Sequence, residues 1–164
     1  MVVQGVQQAF HGHGQIQVKR IKNAKIDDIF SRCIRESANW TCQKSGLEDP
    51  EGQAKGRSWG MQCCHIFGRR TVSMRWWPDN AICMNSRWHR YYTENPLLFD
   101  RFVRSLQGDA VIDALRERFN RKDIKYTDKD RREIYEYFEK TFQSMREMRL
   151  DGETGRIHIN PYSL

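Results

Sequence analysis

The stretch that decides the fold runs Ser58-Trp59-Gly60-Met61-Gln62-Cys63-Cys64-His65-Ile66, then Met74-Arg75-Trp76-Trp77-Pro78-Asp79-Asn80, then Ala81-Ile82-Cys83-Met84-Asn85-Ser86-Arg87-Trp88-His89-Arg90. Residues 58–66 read as a buried strand and 81–84 as a short second one, and the pattern turns helical over Ser86–Thr93. His65, Asn80 and His89 therefore fall in order on a strand, a loop and a helix. Their spacings are 15 residues (80 − 65) and 9 residues (89 − 80).

Working outward, Ile26, Ile29, Phe30, Cys33 and Ile34 form one apolar face of a helix that begins near Lys25. Ser45–Gly60 carries glycines, a proline and many charges, and reads as a loop. After Pro96, Leu97, Phe99, Phe102, Val103 and Leu106 predict a helix that stops near Gly108, and another covers Asp109–Phe119. Thr127 is placed to cap a long final helix, 128–149, with Ile134, Tyr137, Phe138, Phe142 and Met145 as its packing stripe. Residues 1–20 mix Gly, Gln and His and read as a mobile arm. The expected division is this arm, a core of residues 21–125, and residues 126–164 as a long helix and irregular tail packing on the same domain.

Composition bounds the function. The chain has 164 residues, 38% hydrophobic and 12% aromatic, enough for one modest core. Its 28 Lys and Arg against 21 acids give a formal charge of +7, which favours a polyanionic partner, nucleic acid ahead of membrane. No window approaches the roughly 18 apolar residues of a membrane span, and the first residues lack a signal-peptide core. Five cysteines with an adjacent pair make a poor disulfide framework and contain no C-x2-C. A reducing, cytoplasmic setting is the expectation.

The three ordered residues suit one chemistry. Hydrolysing a phosphodiester requires a base to take a proton from water and positive charge to meet the charge growing on phosphate. An imidazole is suited to the first task, provided an oxygen of an asparagine or of the backbone holds its other ring nitrogen. His65 is the candidate general base, Asn80 its orienter, and His89 the ligand of a single divalent cation. Arg69, Arg70, Arg75, Arg87 and Arg90 flank them, and guanidinium groups match phosphate geometry. The nearby rings, Trp59, Trp76, Trp77, Trp88, Tyr91 and Tyr92, are expected mostly in the core or in a groove wall.

These segments resemble the NinG (Rap) recombination endonucleases of temperate phages, within the HNH or His-Me finger nucleases. Phe30-Ser31-Arg32-Cys33-Ile34-Arg35-Glu36 matches the opening helix, Cys64-His65 the Gly-His position, and Met74–Asn80 the segment ending in Asn. His89 falls where that family has Asn and restores the general HNH pattern. The similarity is sparse and extends over roughly residues 26–149. It implies an α+β fold with a ββα-metal finger embedded in helices, and a Mg²⁺- or Mn²⁺-dependent DNA endonuclease acting on branched recombination or replication intermediates.

Two departures qualify the resemblance. The positions matching the family's four zinc cysteines are Cys42, Ser45, Asn85 and Trp88, so the structural zinc is expected to be lost and replaced by packing. A rearranged site using Cys42, Cys63 or Cys64 and Cys83 is the alternative. Cys64, a soft ligand, also stands where relatives place a further metal ligand. The competing functions are a general nicking enzyme, a catalytically inactive DNA-binding module, and a protein-interaction factor. A homodimer is compatible with the long final helix.

Overall fold

The computed structural model describes residues 20–162, so the predicted arm, with His11 and His13, lies outside the described residues except for Arg20. Six α-helices and one two-stranded antiparallel sheet occur among them. Helix α1 is Asn23–Ser37 and α2 is Pro50–Lys55; strands β1 and β2 are Met61–His65 and Ala81–Asn85. Helices α3 to α6 follow as Ser86–Glu94, Pro96–Gln107, Asp109–Asn120 and Asp128–Leu150. The fold is α+β, with the hairpin running directly into α3.

The hairpin register sets Met61 opposite Asn85 and His65 opposite Ala81. Because side chains alternate along a strand, Cys63 and Ala81 turn to α1, where they meet a cluster of Ile26, Phe30 and Ile34 with Ile134 and Phe138 of α6. Cys64, Ile82 and Met84 turn the other way, into a cluster with Tyr92, Val103, Ile112 and Leu115 from α3, α4 and α5. The hairpin is thus a shared wall between two small cores.

The helices begin and end where their local chemistry requires. Thr127 caps α6 through a reciprocal pair: its hydroxyl accepts from Asp130 N–H, and the Asp130 carboxylate accepts from Thr127 N–H. Asn85, the last residue of β2, caps α3 by accepting from Trp88 N–H at 2.9 Å. The predicted loop Ser45–Gly60 in fact contains α2. Asp49 accepts from Gly52 N–H, Pro50 supplies the first turn, and Gly56 closes the helix at φ 65°. One and a half turns containing a glycine give too short a period to read from sequence.

The tail after α6 is irregular, as expected, but firmly held. Ile157 and Ile159 are buried in the α1–α6 cluster, and Ile157 N–H donates to Ser37 O at 2.9 Å. Among the described residues no helix is long and apolar enough to cross a membrane.

Candidate active site

His65 ends β1, and its neighbourhood is fixed from three directions. Its Nε2 lies 3.1 Å from the carbonyl oxygen of Arg75. A carbonyl only accepts, so Nε2 carries the proton and the neutral ring keeps its lone pair on Nδ1. Burial lowers the imidazole pKa below its ordinary value of 6.5, against a smaller opposing effect of the Arg75 carbonyl. At neutral pH the ring is an unprotonated base in a single tautomer. Its side packs near Phe30 of α1, with ring centroids 5.9 Å apart.

The orienting oxygen is therefore a backbone carbonyl and not the side chain of Asn80, which corrects the direct contact expected from sequence. Asn80 is wholly buried. Its Oδ1 accepts from Phe67 N–H at 2.7 Å, and its Nδ2 donates to Phe67 O at 2.8 Å and Met74 O at 3.0 Å. It clasps the connection between the strands at both ends, one residue before the Arg75 carbonyl. Its influence on His65 passes through the loop.

Asp27 of α1 fixes the same loop from outside. It receives Arg75 Nε at 2.9 Å, Arg75 Nη2 at 2.6 Å and Trp76 Nε1 at 2.9 Å. Burial raises the Asp27 pKa, but hydrogen bonds from Arg75 and Trp76, with the charges of Arg75 and Arg69, outweigh it and the carboxyl ends below its usual range. From α5, Arg118 Nε donates to Ser73 O at 2.8 Å, and Ser73 Oγ donates to Arg118 O at 3.0 Å.

This arrangement removes Arg75 from the expected set of phosphate contacts, since its guanidinium is committed to a carboxylate. Arg69 is largely exposed and only 3.8 Å from Asp27 Oδ2. Arg70 lies exposed on the loop, and Arg87 and Arg90 lie exposed on α3.

His89 projects from α3 toward β1, where its Nδ1 meets Gln62 Oε1 at 2.6 Å. An amide oxygen accepts, so Nδ1 holds the proton and Nε2 is left with the lone pair a cation requires. Burial again lowers the pKa, keeping the ring neutral. Gln62 and His65 stand three apart on β1 and so point to opposite faces. The hairpin brings both histidines onto one scaffold but not into contact with each other.

The donor chemistry suits a cation held by one imidazole nitrogen and otherwise by water and phosphate; it does not suit a cation caged by protein. No group of three or more His, Cys, Asp or Glu able to hold a metal occurs among the described residues. Cys64 is buried in apolar surroundings, and its thiol is pushed up to about 12. Cys83 is pushed equally high by burial.

The four positions matched to zinc ligands do converge. Asn85 N–H donates to Cys42 Sγ at 3.4 Å, Asn85 Nδ2 donates to Ser45 Oγ at 3.4 Å, and Asn85 Oδ1 accepts from Trp88 N–H. Burial raises the Cys42 pKa, but hydrogen bonds from Ser45 and the surrounding backbone N–H groups outweigh it and bring the thiol below its ordinary value.

Sequence reasoning missed Asp27 and Gln62. Asp27 lies on the polar side of a helix pattern, and Gln62 reads as one residue of a strand. Neither carries a local signal, because their partners lie 48 and 27 residues away. Compared with family models, curated proteins and solved structures, the chain gave no match.

Proposed function

We propose that the protein is a metal-dependent DNA endonuclease with a His-Me finger site, acting on branched recombination or replication intermediates. The observation that carries this reading is the carbonyl of Arg75 facing His65 Nε2, which leaves Nδ1 free as a base. In the proposed reaction His65 Nδ1 takes a proton from water, the resulting hydroxide attacks phosphorus, and the P–O bond to the leaving oxygen breaks as that oxygen takes a proton from solvent, to which His65 then returns its own. A divalent cation bound at His89 Nε2 would neutralise charge on the phosphate. Arg69, Arg70, Arg87 and Arg90 would hold the DNA backbone, and the +7 charge suits such a substrate. The meeting of Asn85 with Cys42 and Ser45 fits this reading, because the resemblance assigns those positions to one site.

A second reading is favoured by a specific observation. His65 and His89 engage partners on opposite faces of the hairpin, and no three-donor metal group accompanies them. A scaffold that binds DNA without cutting it has this form.

Labelled linear, nicked, flap and four-way DNA incubated with Mg²⁺, Mn²⁺ or EDTA separates the two readings. Metal-dependent cutting that is lost in His65→Ala supports the endonuclease, and the ranking of substrates tests the preference for branches. Salt-sensitive binding without any product supports the non-cutting scaffold.

A further inference from the structure

Trp59 is 98% exposed, whereas Trp40 and Trp76 are buried. Tryptophan is on average highly buried and is enriched at interfaces, so one left in the open on an ordered turn is a candidate contact residue. The turn holding it is well braced. Ser58 Oγ accepts from Gly60 N–H at 2.9 Å and Met61 N–H at 2.8 Å, and its hydroxyl donates to Asp49. Gly60 O accepts from Ser86 N–H at 2.8 Å, which joins the turn to the start of α3. Trp59 is thus presented by a fixed pedestal at the end of β1 away from His65.

The pedestal borders a groove of about 1570 Å³ between α1, α2 and the start of α3. Much of the acid lining this groove is already engaged: Asp27 with Arg75, Asp49 with Gly52 N–H and Ser58, Glu51 with Lys55. Asp28 and Glu48 also line it. Arg57 and Arg87 have no side-chain partner among the described residues, and they flank the Trp59 turn in sequence and across the Gly60–Ser86 bond. Leu47 is the one other exposed large apolar residue described in the lining, so the indole stands among polar groups and not within an apolar patch. An exposed ring in a groove that Arg57 and Arg87 also line suits a nucleobase attached to a phosphate chain, since every base offers a π-face and every linkage a negative charge.

We propose that Trp59 stacks on an unpaired base of DNA lying in this groove, so that the protein prefers gapped or branched DNA to continuous duplex. This rests on the nucleic-acid reading above and supplies it with a determinant of substrate class. In continuous duplex the faces of the bases are covered by their neighbours, and an indole gains nothing. At a gap or junction a base face is open.

The test is fluorescence anisotropy of labelled DNA in EDTA, so that no substrate is cut, comparing a continuous duplex with the same duplex carrying a short single-stranded gap. Wild type is expected to bind the gapped DNA more tightly. Trp59→Ala should lose about tenfold on the gapped DNA and little on the duplex, and Trp59→Phe should recover most of the loss. Equal binding of both DNAs by wild type, an unchanged Trp59→Ala, or an equal loss on both DNAs would overturn the stacking while leaving DNA binding intact. Absence of any DNA binding at low salt would overturn the stacking and the nuclease reading together.

Discussion

Asp27 and Arg75 meet across 48 residues of chain in a bidentate pair, 2.9 and 2.6 Å long, that ties α1 to the loop whose carbonyl faces His65. Asp27→Asn would keep one acceptor oxygen and lose the charge. Stability is expected to fall by about 1–3 kcal/mol. The wild-type carboxyl titrates below its ordinary 3.8, so its contribution is fully present above that pH and is lost as pH falls through the depressed pKa. Urea denaturation at several pH values should therefore show a gap between wild type and variant that closes in acid. A gap that stays constant down to pH 2 would contradict the pair. The His65 ring resonances should also shift in the variant, which a purely global loss of stability would not produce.

The state of His65 sets a pH profile. Its pKa is lowered from 6.5 by burial, so the neutral ring that the proposed reaction needs dominates at neutrality and is lost only in more acidic solution. Cleavage measured from pH 5 to 8 should rise along an acid limb centred below 6.5 and then level off. A midpoint above 6.5 would argue against His65 as the base. His65→Ala should abolish cutting and leave the circular dichroism spectrum unchanged.

Asn80→Ala should be among the more damaging single changes. It would strand the Phe67 N–H and remove donors from Phe67 O and Met74 O in a site with no exposure. A loss of about 3 kcal/mol is expected, read as a drop in thermal midpoint. Asn80→Asp should be comparably poor, because a carboxylate would face two carbonyl oxygens.

The arginines should separate into two groups on DNA. Arg87→Gln and Arg90→Gln should each lower the salt dependence of DNA binding by about one phosphate contact without destabilising the fold. Arg75→Gln should destabilise the protein through Asp27 and leave the salt slope almost unaltered. Equal salt slopes for all three variants would remove the distinction.

Much of the fold was legible because its signals are local. The apolar face Ile26–Ile34, the cap at Thr127, the stop at Gly108 and the strand–loop–helix order around His65 all appear where the pattern places them. The site was legible only in part. A sequence displays side chains, so Asn80 stood out as the orienter, whereas the group facing His65 is a carbonyl that any residue at position 75 would carry. Arg75 looked free because the carboxylate it binds belongs to a distant helix. Trp59 was expected in the core or a groove wall, and it borders a groove, but hydrophobicity alone did not tell that its ring is presented and not packed.

The pairing of α1 with α6 sets an order in time. Phe30 packs edge-on against Phe138, with centroids 5.1 Å apart, and the Cys33 thiol donates to Phe138 O across 105 residues. During synthesis the hairpin and α3 leave the ribosome well before Phe138 and Met145 exist to cover the apolar side of α1. Until then the side of α1 that faces α6 has no cover. The nascent chain thus carries both histidines and the Arg75 carbonyl well before the residues that cover the α6-facing side of α1 exist, and that apolar face is open in the interval.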